Sequence, residues 1–411
     1  MRFLCLLLVS GCIALREAWH PVDEGAENGK LLQAHILFRH GHRVPMKSYP
    51  RDPNANATLW DDGYGQLTNI GRRQAFQLGR DIRARYGILV AKKRAWRSVR
   101  TVSSDYSRTL MSAQAVLAGL LPPEGSDRWS DLDWQPAPVR TKPQYMDDTL
   151  SAIPFCPRYL ALLKNQSNVV PQEARTMYDY VQKHSGKTIT SPTSLANLYI
   201  CLDIERQAGL RLPEWTRTVY PEPMKSEAAR SFLRSVATRE MARLRVGPLL
   251  KDILRFNKNS TGEPLRLYST HDTVLAAFLG ALGISSNAPP NFASVISVEH
   301  WRTSDGETHV QLWWREGPSG ELTQLEWPEC GKNCPLHRLK RILGPLIPED
   351  WQTECEIGDE TSTSLNERRE TIHFTTIVFV MSFIMLVVVI PIYVLMKYRS
   401  RSRGSAYEYV R

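Results

Sequence analysis

The sequence predicts an α/β fold in which helices flank a mixed sheet, with an inserted, mainly helical cap and a single apolar helix near the C-terminus. Three observations support this prediction. Short apolar runs end abruptly in polar residues and are followed by amphipathic helical patterns. A middle stretch has short helical patterns without alternating strands, and a 23-residue stretch near the end carries no charge. The chain has 411 residues, which is long enough for a sizeable core.

The two ends of the chain predict a protein that enters the secretory route and stays in a membrane. Residues 1–18 combine Arg2 with an apolar run, a pattern typical of a signal peptide. Residues 374–396 form the uncharged stretch, which is long enough to cross a bilayer as one helix. The cations that follow it are Lys397, Arg399, Arg401 and Arg403. They hold the tail 397–411 in the cytosol.

This arrangement is that of a single-pass type I membrane protein. Residues 19–355 are expected in the lumen or outside the cell, followed by a polar stem at 356–373. In the tail, Tyr407 to Val410 follow the tyrosine-x-x-apolar pattern that sorting adaptors bind in endosomal and lysosomal traffic. The predicted location is therefore the lysosome or endosome, or the cell surface.

The net charge of the chain does not indicate a nucleic-acid partner. The formal charge is +10, of which the tail carries +4 and the signal peptide +1. About +5 remains for the rest of the chain, spread over hundreds of residues. No basic run is interleaved with aromatic residues, so we expect no nucleic-acid binding. A small anionic substrate is compatible with this charge.

Cysteines and sequons fit an oxidising, lumenal compartment. Five cysteines remain after the signal peptide: Cys156, Cys201, Cys330, Cys334 and Cys355. Disulfides are expected there, but five is an odd number. Asn-x-Ser/Thr tripeptides predict glycosylation at Asn56, Asn165 and Asn259.

The first half of the predicted core contains two strands, each followed by a helix. A strand is predicted at 32–38, because this apolar run is short and the polarity changes at Arg39. Gly41 then allows a tight turn, and a helix capped by Thr68 is predicted up to residue 86. A second strand at 96–104 precedes a helix at 107–121. Arg108 falls in the first turn of that helix, where the helix dipole disfavours a cation, so a nearby anion would explain its position.

The middle of the chain is interpreted as a cap over the strand ends. Helical patterns lie near 159–164, 174–183 and 194–209, and no alternating strands are seen. The cap is placed at 123–225, a position suited to substrate selection, and the α/β core at 30–122 and 226–345. A long helix is expected at 226–256, interrupted near Gly247-Pro248 because proline lacks an N–H.

The last part of the core returns to strands. A third strand at 265–269 ends in Thr270-His271-Asp272, and a helix is predicted at 273–282. By itself Asp272 would be interpreted as a helix N-cap, worth about 1 kcal/mol. Strands at 293–301 and 309–315 are expected to form a hairpin around Asp305-Gly306, with another strand at 321–327.

Three strand ends supply side chains for one reaction. They carry Arg39, His40 and Arg43, then Arg108, then His271 and Asp272. Ligands of open α/β sheets bind where the carboxyl ends of strands meet. Guanidinium groups match phosphate oxygens and stay charged, which suits them to align a phosphate monoester.

The chemistry divides among these side chains as follows. We expect His40 to attack phosphorus and form a phosphohistidine, and we expect nearby guanidiniums to lower its pKa so that it stays neutral in mild acid. Asp272, protonated at low pH if desolvated, donates to the leaving oxygen and later takes a proton from water. His271 adds a hydrogen-bond donor. This mechanism predicts an acid optimum and requires no metal or other cofactor.

The pattern Arg-His-Gly-x-Arg-x-Pro at 39–45 closely resembles the histidine acid phosphatases, in the branch that holds the lysosomal and prostatic enzymes. Other similar segments are 65–68, 105–110, 121–125, the His271-Asp272 pair and the Cys330-x-x-x-Cys334 spacing. The similarity extends over roughly 32–355.

This resemblance implies a phosphoglycerate-mutase-like sheet and a role for each matched residue. It implies that His40 is the phosphorylated nucleophile and Asp272 the proton donor. The phosphate-binding residues it implies are Arg39, Arg43, Arg108 and His271. It also suggests a homodimer.

Two positions depart from the family pattern. The family usually has three disulfides, and the resemblance implies Cys330 with Cys334 and Cys156 with Cys355. The position that matches the partner of Cys201 is Val295, so Cys201 is expected to be free or paired between chains. His42 stands where vertebrate relatives commonly carry Asp, a change expected to alter pH dependence or leaving-group preference.

Two other functions were weighed against this one. In a metal-dependent phosphohydrolase, His40, His42, His271 and Asp272 would be ligands, but Arg39 and Arg43 disfavour a dication there. In the second alternative, a glycosylated membrane receptor has kept the fold and lost the chemistry. The presence of every catalytic position disfavours that alternative.

Overall fold

The computed structural model describes residues 19–22, 29–166, 169–255, 263–284 and 288–356, together with 385, 387, 390–393 and 395. The chain divides into two compact units, Met1–Glu354 and Cys355–Arg411. The signal peptide, the cytosolic tail and its sorting signal, most of the stem and most of the predicted membrane helix lie outside the described residues. Among the described residues, no helix is both long enough and apolar enough to cross a membrane.

The first unit is built on one eight-stranded mixed sheet. Its strands are β1 (Lys30–Arg39), β2 (Val99–Ser103), β3 (Val139–Thr141), β4 (Leu265–Thr270), β5 (Val295–Arg302), β6 (Thr308–Arg315), β7 (Thr323–Leu325) and β8 (Cys334–Pro335). The order is β3-β2-β4-β1-β5-β6-β7, with β8 beside β6. Neighbours from β3 to β1 are parallel, and the pairs from β1–β5 to β6–β7 are antiparallel. The predicted mixed sheet is confirmed.

The α-helices of the described chain either pack on the two faces of this sheet or belong to the cap. They are α1 (Asn69–Tyr86), α2 (Ser107–Leu120), α3 (Pro157–Asn165), α4 (Arg175–Ser185), α5 (Pro192–Gln207), α6 (Met224–Leu233), α7 (Arg239–Leu254), α8 (Asp272–Ala281), α9 (Leu336–Leu343) and α10 (Trp351–Glu354). Alternate residues of β1 point to opposite faces. Ile36 and Phe38 pack in the cluster that holds α1 and α2, and Leu37 packs in the cluster that holds α7 and α8.

The cap region has its own apolar cluster, formed by α4, α5 and α6. Met224 and Ala228 of α6 belong to this cluster, so its packing extends past residue 225 into the segment expected to begin the second part of the core. The sequence analysis also missed β3, a three-residue strand at the sheet edge within the predicted cap. A run this short has too few residues to show an alternating pattern.

The prediction of one long helix at 226–256 is wrong in the position of its break. The chain leaves the helical path between α6 and α7, and Thr238 caps α7 by accepting a hydrogen bond from Met241 N–H at 3.1 Å. Helix α7 continues through Pro248. The indole Nε1 of Trp351 donates to the Leu244 carbonyl at 2.7 Å. That carbonyl would otherwise lack a donor, because Pro248 has no N–H to offer four residues later.

Candidate active site

Three neighbouring parallel strands end at the same level of the sheet. Arg39 at the end of β1 pairs with Thr270 at the end of β4, and Ser103 of β2 pairs with Ser269 of β4. The residues that follow these ends therefore leave the sheet side by side. They include His40 after β1, Ser104 after β2 and His271 after β4.

The sequence-predicted side chains lie together at this edge. Arg108 Nε lies 3.3 Å from Nε2 of His40, and the rings of His40 and His271 are 5.6 Å apart, centroid to centroid. Asp272 reaches the same cluster through an ion pair of 2.8 Å with Arg39. His40, Arg39 and His271 are at most 3% exposed.

The hydrogen bonds of His40 fix its tautomer. Nδ1 lies 2.8 Å from the Gly41 carbonyl, which can only accept, so Nδ1 carries the proton. Nε2 then accepts from Arg108 Nε and keeps its lone pair. Nε2 is therefore the nitrogen that can act as a nucleophile.

The loop that carries His40 is packed tightly between α1 and α2. A Cβ at Gly41 would lie 2.2 Å from the backbone oxygen of Gly71 in α1, so only glycine fits. Gly41 N–H also donates to Ser112 Oγ of α2 at 3.1 Å. The sequence analysis assigned Gly41 to a tight turn, whereas the structure shows that contact with another backbone excludes a side chain.

Burial and positive charge keep both histidines neutral. Burial, and then the charge of Arg39, holds the pKa of His40 well below its usual value. Burial and Arg108 do the same to the pKa of His271. The sequence analysis gave the guanidiniums as the cause, but the loss of hydration contributes more. In mild acid His40 remains an unprotonated nucleophile.

The cluster carries more positive than negative charge. Among the described residues, no ion pair joins Arg43 or Arg108 to a carboxylate, and Nε of Arg39 and of Arg43 has no hydrogen-bond partner. Burial lowers the pKa of Arg43 and of Arg108, yet a guanidinium stays charged at any working pH. The arrangement suits an anion with several oxygens.

Asp272 is not the helix N-cap that the local sequence pattern alone suggested. The N-cap residue of α8 is His271, and Asp272 is the first helical residue. Its Oδ1 accepts from Thr273 N–H at 2.8 Å, and Oδ2 pairs with Arg39. Asp272 is therefore a largely buried carboxylate that Arg39 holds in an ion pair, and its side chain is 13% exposed.

Sequence reasoning missed three residues that hold the cluster. Ser104 Oγ lies 3.0 Å from Nε2 of His271, and Ser112 contacts the His40 loop. The ring of Phe292 lies 3.9 Å from the guanidinium carbon of Arg39 and 5.8 Å from the His40 ring. Ser104 is the last residue of a predicted strand and had a local signal. Phe292 lies more than 200 residues from Arg39 in sequence and had none.

A cavity of about 360 Å³ adjoins the cluster. Arg39 and Phe292 line it on one side and residues of α5, including Tyr199, Asp203 and Arg206, on another. The cap thus contributes part of the surroundings of the site, as the sequence analysis expected of its position.

One group of candidate metal ligands lies apart from this site. Within the described part of the chain, three ligating atoms within 4.8 Å of one another are brought together by Asp52, Cys201 and Glu205, here named the α5 cluster. Glu205 already accepts hydrogen bonds from Asn54 at 2.9 Å and from the Cys201 thiol at 3.3 Å. Both ring nitrogens of His42 also have partners, Thr68 and Ile204.

Cysteines and sequons are placed as follows. Cys330 and Cys334 form a disulfide, and Cys156 and Cys355 are each disulfide-bonded. Cys201 is free and buried. Asn56 and Asn165 are exposed, and Asn259 lies outside the described residues.

Comparisons with known proteins agree with this geometry. Residues 30–314 match the family model of the histidine phosphatase superfamily, branch 2. The lysosomal acid phosphatase of Homo sapiens is 34% identical over 339 residues, which cover 79% of each chain. The prostatic acid phosphatase of Homo sapiens is 33% identical over 339 residues, covering 78% of this chain and 86% of that one.

Solved structures of lower identity share the fold. The phytase of Citrobacter braakii superposes with a TM-score of 0.60 at 19% identity, covering 80% of this chain and 100% of that one. A Hafnia alvei phytase in complex with tartrate gives 0.58 at 16% identity, covering 80% and 98%.

The chain belongs to the histidine phosphatase superfamily, branch 2. Within that superfamily it is an acid phosphatase, an enzyme that hydrolyses phosphate monoesters.

Proposed function

We propose that the reaction proceeds through a covalent phosphohistidine on His40, with Asp272 as the proton donor. The observation that carries this proposal is the lone pair on His40 Nε2, which is held beside Arg108 at 3.3 Å in a buried, cationic pocket. An anionic ester bound there would present phosphorus to a neutral nucleophile.

The first step forms the N–P bond and breaks the ester P–O bond. Nε2 of His40 attacks phosphorus while Arg39, Arg43 and Arg108 hold the non-bridging oxygens. Because Arg39 is paired with Asp272 before substrate binds, phosphate oxygens compete for the guanidinium and release the carboxyl group. The released carboxylate takes up a proton from solvent and donates it to the leaving alkoxide.

The second step returns the enzyme to its starting state. Asp272, now a carboxylate, takes a proton from water, and the hydroxide formed attacks phosphorus and breaks the N–P bond. His271 contributes a hydrogen bond to a phosphate oxygen from Nδ1 when that nitrogen carries a proton. In the unliganded arrangement Nδ1 faces Arg108 Nη2 at 3.5 Å, and Nε2 faces Ser104.

The test is to trap the phosphoenzyme. The protein is mixed rapidly with an aryl phosphate and quenched in base, in which phosphohistidine survives, and the modified residue is located by mass spectrometry. We expect one phosphoryl group on His40. Turnover without it, or activity that a chelator abolishes and added metal restores, would favour the metal-dependent alternative. Absence of turnover at any pH would favour the receptor alternative.

We further propose that the enzyme is a glycosylated, single-pass protein of lysosomes or endosomes that forms homodimers. Three observations support the location: the lysosomal relatives, the uncharged stretch 374–396 and the tail signal at 407–410.

Carbonate extraction of membranes tests the anchor. Tyr407→Ala should move the protein to the cell surface if sorting adaptors bind the tail. Sedimentation of the detergent-solubilised protein tests the dimer.

A further inference from the structure

His42 lies two residues after His40 and is fully buried, but its side chain is directed to other elements of the fold. Its backbone N–H donates to Gln74 Oε1 of α1 at 2.8 Å. Its carbonyl accepts from Thr68 N–H at 3.0 Å. The two ring nitrogens contact Thr68 and Ile204. Every polar group of His42 is therefore used to join the His40 loop to α1 or to the cap.

The bond to the cap is made by Nε2, which lies 3.0 Å from the Ile204 carbonyl of α5. A carbonyl only accepts, so Nε2 carries a proton. The same carbonyl accepts from Ala208 N–H at 2.9 Å, at the end of α5. The bond thus fixes the last turn of the cap helix to the loop of the nucleophile.

The other ring nitrogen anchors His42 to the start of α1. Nδ1 lies 2.8 Å from Thr68 Oγ1, which also caps α1 by accepting from Gly71 N–H at 3.2 Å. If the ring is neutral, the Thr68 hydroxyl donates to Nδ1. If the ring is protonated, Nδ1 donates and the hydroxyl turns to the His42 carbonyl, 3.2 Å away. The bond to Ile204 persists in both states.

The cap helix that His42 holds also borders the cavity beside the phosphate site. Tyr199, Asp203 and Arg206 of α5 line that cavity, together with Arg39 and Phe292. The Phe292 ring packs on His42, with 5.2 Å between centroids, and on Arg39. A shift of α5 would change the cavity while leaving the strand ends in place.

We propose that His42 is a positioning residue that sets the distance between the phosphate site and the cap helix α5, and that this distance determines which leaving groups the enzyme accepts. This inference rests on the proposed phosphohistidine mechanism and on the cavity receiving the alcohol part of the ester. An ionised aspartate at this position would place a second acceptor against the Ile204 carbonyl and could not make this bond.

The test compares two amides that separate the two ring nitrogens. In His42→Gln the amide N–H can reach the position of Nε2, so the Ile204 bond is kept. In His42→Asn the amide stops near the position of Nδ1, so that bond is lost. We expect His42→Asn to lower kcat/KM for 1-naphthyl phosphate about tenfold, the size of one buried hydrogen bond. The inhibition constant of inorganic phosphate should stay within about twofold.

Three further measurements show whether the lower kcat/KM of His42→Asn comes from loss of the bond to Ile204. His42→Gln should restore kcat/KM to within about threefold of wild type. Hydrogen exchange at the Ala208 amide should be faster in the Asn variant than in the Gln variant. The exposed His337→Asn is the matched control and should change neither kinetics nor exchange.

Equal kinetics for the Asn and Gln variants would overturn the proposal, as would a loss of phosphate binding equal to the loss of kcat/KM. A role in stability alone would lower activity toward small and large esters by the same factor. None of these results affects the mechanism, which depends on the phosphoenzyme of the wild-type protein and fails only if that species is absent.

Discussion

The sheet and the cap both bury ionisable groups, but of opposite kinds. The sheet buries histidines, and burial lowers the pKa of His40, of His271 and of His300, the last to about 4. The α5 cluster buries acids, and burial raises the pKa of Glu205 to about 7 and that of Cys201 as well. Loss of hydration disfavours the charged form in each case.

Because the two pKa shifts have opposite directions, His300 and Glu205 become charged at opposite ends of the pH range. Between about pH 4 and pH 7, His300 is neutral and Glu205 is protonated, so neither of these two buried groups carries a charge. Below this interval His300 becomes charged, and above it Glu205 does. In mild acid, therefore, neither His300 nor Glu205 destabilises the folded protein by becoming charged.

The largest effect is expected from removing the nucleophile at the sheet edge. His40→Ala should lower kcat on the order of 10⁴-fold or more, because no other group can form the covalent intermediate. Steady-state hydrolysis of an aryl phosphate measures the loss, and circular dichroism controls for folding. Residual activity within tenfold of wild type would show that His40 is not the nucleophile.

The loss of activity in an Asp272 variant should depend on the leaving group of the ester. Asp272→Asn removes the proton donor, so hydrolysis of an alkyl phosphate should fall on the order of 10²–10⁴-fold. An aryl phosphate has a better leaving group and should lose only about tenfold. Parallel kinetics with both esters measure this ratio. If both losses are the same, the residue acts structurally through its ion pair with Arg39.

The raised pKa of Glu205 predicts that the buried acid of the cap makes the stability of the protein fall as pH rises. Its pKa is raised from 4.5 to about 7 in the folded protein, so its contribution to stability is full below pH 4.5 and lost as pH rises through 7. Glu205→Gln resembles the protonated acid and should reduce this loss by on the order of 1–2 kcal/mol. Urea unfolding between pH 4 and pH 8 measures it. The exposed Glu173→Gln serves as the control, and identical pH profiles for wild type and Glu205→Gln would contradict the assignment.

The lowered pKa of His300 predicts the opposite pH dependence for the sheet, a stability that falls as pH falls. Its pKa is lowered from 6.5 to about 4, so its contribution is full above pH 6.5 and lost as pH falls through 4. His300→Gln, which cannot become charged, should reduce this loss by about 1 kcal/mol, since His35 at a ring distance of 5.4 Å remains buried beside it. The same unfolding series measures it. A steeper loss in the variant would reverse the expected sign.

Local sequence was sufficient for the elements that lead into the site. The apolar runs that became β1, β2 and β4 end where their polarity changes, and functional side chains follow each end. Where the prediction failed, the cause was a partner distant in sequence. In α7, Trp351 supplies the donor that Pro248 lacks. In α8, Asp272 is the first helical residue and not the N-cap, and its carboxylate pairs with Arg39.

By itself the sequence determined the chemistry available to this protein: two imidazoles, three guanidiniums and a carboxyl group at the ends of predicted strands. The tertiary structure decided which atoms of these groups can act. The Gly41 carbonyl and Arg108 together select Nε2 of His40, and the Arg108 contact joins residues 68 positions apart in the chain. The sequence specifies the type of each residue. The ion pair of Asp272 and the distance between the phosphate site and α5 depend on atoms that come into contact only when the strands and the cap are packed.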